Sequence, residues 1–205
     1  MKTIFTIGGF FLAAAAALCQ ERFPAIPSER MTASQTRVAG AIVAGPRKGL
    51  SGPFHAWLRS PELADRLQRV GEYLRFSSSL PPRLNEFAIL ITARHWTAQY
   101  EWYAHHALAM KAGLGPKVAA DLAAGLRPRG MQEDETVVYE FSTQLHRDKS
   151  VSDAVFQAAL AKFGEQGTMD LIAVNGYYDI VSMTLNVAQV GLPAGEKLPL
   201  KTLGK

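Results

Sequence analysis

Glu101 and His105 stand four residues apart in the stretch TAQYEWYAHH, residues 97–106, directly behind the apolar run FAILITARHW. On a helix that spacing puts carboxylate and imidazole on one face, one turn apart, the relation a general acid or base has to an orienting partner. His106, the next residue, points about 100° away and needs another element to join them. Glu86 is a second oddity, a carboxylate between Asn85 and Phe87 at the head of the most apolar helix beyond residue 19. Burying a carboxylate alone costs several kcal/mol, so such a group is normally matched by a base or a donor. If segments 80–96 and 98–112 form an antiparallel helix hairpin, Glu86 lies eleven residues before Thr97 and His105 eight after it, and the two can meet within about a turn. Two carboxylates around one imidazole would raise its pKa and give a proton-transfer site. The same i, i+4 spacing is also common in plain surface or packing pairs. A metal centre made from Glu86, Glu101 and His105 is disfavoured, because the HExxH spacing is absent and no second histidine shares the face; no metal is expected.

The elements that must position these residues read as helices throughout. Ser60-Pro61-Glu62 is a helix start, with Ser60 as N-cap and Pro61 in the first turn, and Leu63, Leu67, Val70 and Leu74 follow at helical spacing to about Phe76. SSSLPP ends this helix and opens segment 80–96, which has no internal Gly or Pro and is too long for a typical strand. Segment 98–112 closes at Gly113. Shorter helices are expected at 116–124, at 132–146 after the acidic EDE, and at 152–163, where Ser152 can cap; a long apolar one covers 168–190. Another helical piece falls at 31–45. No segment alternates with period two for long enough to make a strand, so the fold class is all-α.

At 205 residues the chain suits one domain, and 48% apolar with 20% charged residues is an ordinary globular composition. The net charge of +4 comes from scattered basic residues without a run or stripe, which leaves nucleic-acid binding without support. Lys2 followed by IFTIGGFFLAAAAAL reads as a signal peptide over 1–19, cleaved after Cys19 in the small-x-small pattern Ala17-Leu18-Cys19. The expectation is an exported chain, periplasmic or secreted, with no stable membrane contact after cleavage. An uncleaved anchor over 4–18 and a lipidated Cys19 are the alternatives, and Leu18 is bulky for the latter. Residues 20–44 read as an N-terminal extension, 45–192 as the main domain and 193–205 as an exposed tail.

The stretch LPPRLNEFAILITARHWTAQYEWYAHHALAMKAGL resembles the carboxymuconolactone decarboxylase and alkylhydroperoxidase D family. GPFHAWLRSPELADRL upstream and GYYDIVSMTLN downstream look like that family's flanks, so the resemblance spans roughly 45–192. It implies an alkylhydroperoxidase D-like bundle built on a central antiparallel helix hairpin. The peroxidase branch carries a Glu, a Cys-x-x-Cys pair and a His; by position these fall on Glu86, on Ala98 and Glu101, and on His105. Without a thiolate, hydroperoxide reduction has no nucleophile. The decarboxylase branch lacks the cysteines and is similar in having a Glu four residues before the His.

That resemblance implies a lyase needing no cofactor, acting on a small carboxylated ring or lactone. His105 would be the proton donor or acceptor, Glu101 its orienting partner and Glu86 a second acid that sets its pKa. Arg94, His95 and Tyr100 would hold an anionic substrate, Asn175, Tyr177 and Tyr178 would line or support the pocket, and His55 and Trp57 would cover it. For these supporting residues, packing or subunit contact is an equal alternative. A small-molecule-binding member without turnover is the alternative function, and an export signal sits awkwardly with an interior breakdown pathway. The resemblance also implies a homo-oligomer, with the last helix and the QYEWYAHH helix supplying apolar contact.

Overall fold

The computed structural model of the protein describes residues 21–203, so the signal-peptide reading, with Cys19 and the segment 4–18, lies outside the described residues. Among those residues there are eight α-helices and one 3₁₀ turn, Ser28–Arg30, and no strand. The helices are α1 (Ala33–Ala44), α2 (Phe54–Trp57), α3 (Pro61–Phe76), α4 (Pro82–Trp96), α5 (Gln99–Lys111), α6 (Pro116–Ala123), α7 (Glu133–Asp148) and α8 (Asp153–Ala188). Pro61, Pro82 and Pro116 each open a helix, where the missing N–H costs nothing.

Helix α4 is the axis of the fold. Every residue from Phe87 to Arg94 is buried, as expected of a helix with an apolar surface all round, and α5, α6, α7 and α8 pack around it. The α4–α5 connection is two residues long. Thr97 takes the left-handed conformation (φ 49°, ψ 39°), an unfavourable one for a β-branched residue. Its hydroxyl accepts from Arg94 Nη2 at 2.8 Å, and the Ala98 N–H reaches back to the Ala93 carbonyl at 2.9 Å. This tight reversal sends α5 back along α4.

The helices expected at 152–163 and 168–190 run together as α8, broken at Gly164, where φ of 67° suits only a residue without Cβ. Neither expected serine cap forms: the Ser60 and Ser152 side chains make no capping hydrogen bond. Ser60 has ψ of 82°, away from the extended geometry of Thr32 (ψ 161°), which does cap α1 in a reciprocal box with Gln35.

The two ends of the described chain are more than decoration. The extension contains α1, which buries Val38, Ala39 and Ile42 and packs on α3. The tail, expected to be exposed, is pinned: Gln99 exchanges two side-chain hydrogen bonds with the backbone of Leu200, at 2.7 and 3.0 Å, and Leu200 is buried. Satisfying that backbone with one amide side chain is what lets an otherwise irregular segment bury a leucine. No helix among the described residues is long and apolar enough to cross a membrane.

Candidate functional site

The α4–α5 hairpin sets the register that brings Glu86 to His105. His105 Nδ1 lies 2.6 Å from Glu86 Oε2, and Nε2 lies 3.0 Å from Glu101 Oε1. The Glu86 contact is a hydrogen bond; the Glu101 contact is close but not aligned as one, so Glu101 Oε1 is a buried oxygen without a donor and acts through its charge. The Tyr178 ring meets the imidazole edge-on at 5.1 Å, fixing its plane from α8.

Burial alone would depress the His105 pKa, but the charges of Glu101 and Glu86 and the hydrogen bond to Glu86 outweigh it and raise the pKa from 6.5 to about 9. At neutral pH the ring is therefore an imidazolium, an acid already holding its proton.

A cavity of about 90 Å³ opens beside this group, lined by Glu101, His105, Tyr100, Tyr177 and Tyr178 together with Arg47, Arg75 and Phe54. Burial pushes the Tyr177 hydroxyl up to about 12 and that of Tyr178 well above its usual value, so both remain O–H donors. The Arg47 guanidinium lies over the Phe54 ring, 5.2 Å from its centroid, and its Nε and Nη2 are buried without a hydrogen-bond partner. Among the described residues neither Arg47 nor Arg75 has a carboxylate within 4.0 Å. Two guanidiniums without carboxylate partners, lining the same cavity as a buried acid, are suited to a small anion. No cluster of three or more His, Cys, Asp or Glu with metal-holding geometry occurs among the described residues.

Comparisons of the chain with protein-family models, with curated proteins and with solved structures each return no match. The site therefore stands on its own geometry.

Of the residues singled out from sequence, Glu86, Glu101, His105, Tyr100, Tyr177 and Tyr178 come together here. Arg94, His95 and Asn175 do not. Arg94 and His95 sit at the far end of α4, about 12 Å along the axis from Glu86. There Arg94 donates to the carbonyls of Ala123 and Lys201, and His95 stacks on His146 at 4.7 Å. Asn175 is fully buried and satisfied by Ser142 Oγ (3.0 Å), the Leu171 carbonyl (2.7 Å) and Thr92 (3.3 Å). It holds helices together rather than facing a ligand. Trp57 stands behind the cavity wall, with Nε1 on Thr184 Oγ1 at 2.9 Å and its ring against Phe54 and Tyr177, and His55 is not among the lining residues. His106 stays apart, stacked on Trp102.

Arg47 and Arg75 escaped the sequence reading. The trace of Arg47 was Gly71, a glycine in the middle of a helix. A Cβ there would lie 2.0 Å from the Tyr177 hydroxyl and 2.4 Å from Arg47 Nη2, so the missing side chain is the space in which these groups sit.

Proposed function

We propose that the protein is an acid–base lyase similar to the carboxymuconolactone decarboxylases, acting on a small carboxylated ring or lactone. The observation that carries this reading is His105, held between Glu86 and Glu101 on the wall of a cavity that is also lined by two guanidiniums without carboxylate partners.

In such a reaction the substrate's C–CO₂⁻ bond breaks and carbon dioxide leaves. The bonding electron pair moves toward the lactone carbonyl, and the resulting enolate takes a proton at carbon. Arg47, Arg75 and the two tyrosine hydroxyls supply donors for the oxygen that gains charge. The His105 imidazolium delivers the proton, and the neutral imidazole is reloaded from solvent. Glu86 holds Nδ1, so the ring keeps one orientation, with Nε2 beside Glu101 and both residues lining the cavity. The carboxylates also keep the acid charged at neutral pH, matching its resting state to its task.

The test is turnover of a panel of carboxylated γ-lactones in D₂O, reading carbon dioxide release and deuterium at the product carbon. Release that is lost in His105→Gln and Arg47→Gln supports the lyase. Saturable binding of the same compounds with no release in the wild type would instead identify a binding protein that uses this pocket without chemistry.

A further inference from the structure

A second cavity, of about 240 Å³, lies at the other end of α4. Its walls are apolar, with Ile91, Leu122, Leu126 and Leu203 contributed by α4, the end of α6 with the turn after it, and the C-terminal segment. Its basic lining is Arg94, Arg147, His95 and His146, with no Asp or Glu among the described lining residues. Arg147 is matched outside by Asp148 at 2.6 Å, whereas Arg94 has no carboxylate partner.

Arg94 is the unusual group. It is 4% exposed and bonded to two carbonyls and a hydroxyl, all neutral, while its Nε is buried with no partner among the described residues. The Thr143 hydroxyl, also on this cavity, is a second buried polar atom without a partner. A buried guanidinium offset only by neutral dipoles retains its charge and an unmet demand for an anion. Burial lowers the pKa of both imidazoles against the opposing pull of Asp179, which lies 3.6 Å from His146 Nδ1, so Arg94 is the buried positive charge.

We propose that this cavity binds a small monocarboxylate with an apolar body, its carboxylate against Arg94 Nε and the Thr143 hydroxyl and its body among Ile91, Leu122, Leu126 and Leu203. Two donors and a predominantly apolar wall match one planar, singly charged head. A phosphate, with three oxygens to satisfy, would be left short of partners. The site is independent of His105 and of the reaction proposed there.

Benzoate, with benzamide as the neutral analogue, is the probe. Titrated into the full chain and followed by NMR, benzoate should shift the Thr143 methyl and His146 ring signals saturably, and benzamide should bind at least tenfold more weakly. Leu126→Trp, at a side chain 55% exposed, should fill the cavity and weaken benzoate at least tenfold without lowering Tm; Thr143→Val should weaken it less. Arg94→Met also removes the ties to Ala123 and Lys201, so it is read only if it folds. Three results would overturn the proposal: no saturable shift at Thr143 and His146, equal binding of benzamide, or benzoate binding that Arg47→Gln abolishes and Leu126→Trp leaves intact. The last places the anion in the His105 cavity, and it would leave the lyase reading standing while removing this one.

Discussion

His105 and His146 are equally buried, each 5% exposed, and for each the largest influence on the ring is the loss of water. Their pKa values nevertheless move in opposite directions. His105 has two carboxylates, at 2.6 and 3.0 Å, and rises to about 9. His146 has one, Asp179, at 3.6 Å, and that oxygen already accepts the Trp96 indole N–H at 2.5 Å. His95 stacked at 4.7 Å and the Lys149 ammonium add repulsion, so burial prevails and the pKa falls. Burial fixes how strongly a ring responds to its neighbours, and the neighbours fix the sign. The same bundle thus holds one histidine as an acid and another as a neutral hydrogen-bonding plug.

The largest expected effect tests whether that acid does chemistry. On any carboxylated lactone that the wild type turns over, His105→Gln should lower kcat/KM by about 10²–10⁴-fold, the usual worth of a positioned general acid. Retained rate would reduce the contrast between the two histidines to one of structure only. Next, Glu86→Gln should bring the His105 pKa down by about 1–3 units, since an adjacent carboxylate is removed while the ring stays buried. NMR titration of the imidazole reads this directly, and an unmoved pKa would make Glu101 alone responsible.

Stability against pH should show the two signs together. The His105 pKa is higher folded than unfolded, so its contribution is complete below about 6.5 and is lost as pH rises toward about 9; at 1.36 kcal/mol per unit it is at most about 3 kcal/mol. His146 is depressed, so its contribution is present above about 6.5 and fades as pH falls below that. Urea unfolding from pH 5 to 10 should therefore give a maximum near 6.5, and His105→Gln should flatten its alkaline side only. The smallest effect concerns the plug itself. Thr92 Oγ1 touches His146 Nε2 at 3.0 Å and Asn175 Oδ1 at 3.3 Å, so Thr92→Val should cost about 1–3 kcal/mol while leaving the His105 titration unchanged.

Much of this was legible in local sequence. The i, i+4 relation of Glu101 and His105 follows from helix geometry alone, and the meeting with Glu86 follows from a two-residue connection between two long helices. Arg94, His95 and Asn175 were misplaced because a polar residue in an apolar helix signals a partner without saying where the partner lies. Arg94 found carbonyls of the C-terminal segment and α6, and Asn175 found α4 and α7. The described tail is mostly exposed, as expected, and its one buried residue, Leu200, was not legible because the side chains that tie the segment down, Gln99 and Arg94, lie about a hundred residues earlier.

The sequence by itself determined the all-helical class, the hairpin and the acid–base pair, because each rests on periodicity and spacing within a few turns. Tertiary structure decided which charges share a low-dielectric space: Arg47 and Arg75 with His105, Arg94 with neither. Electrostatic energy depends on distance and solvent access between groups far apart in the chain, and only the packing of α3, α4, α5 and α8 fixes both.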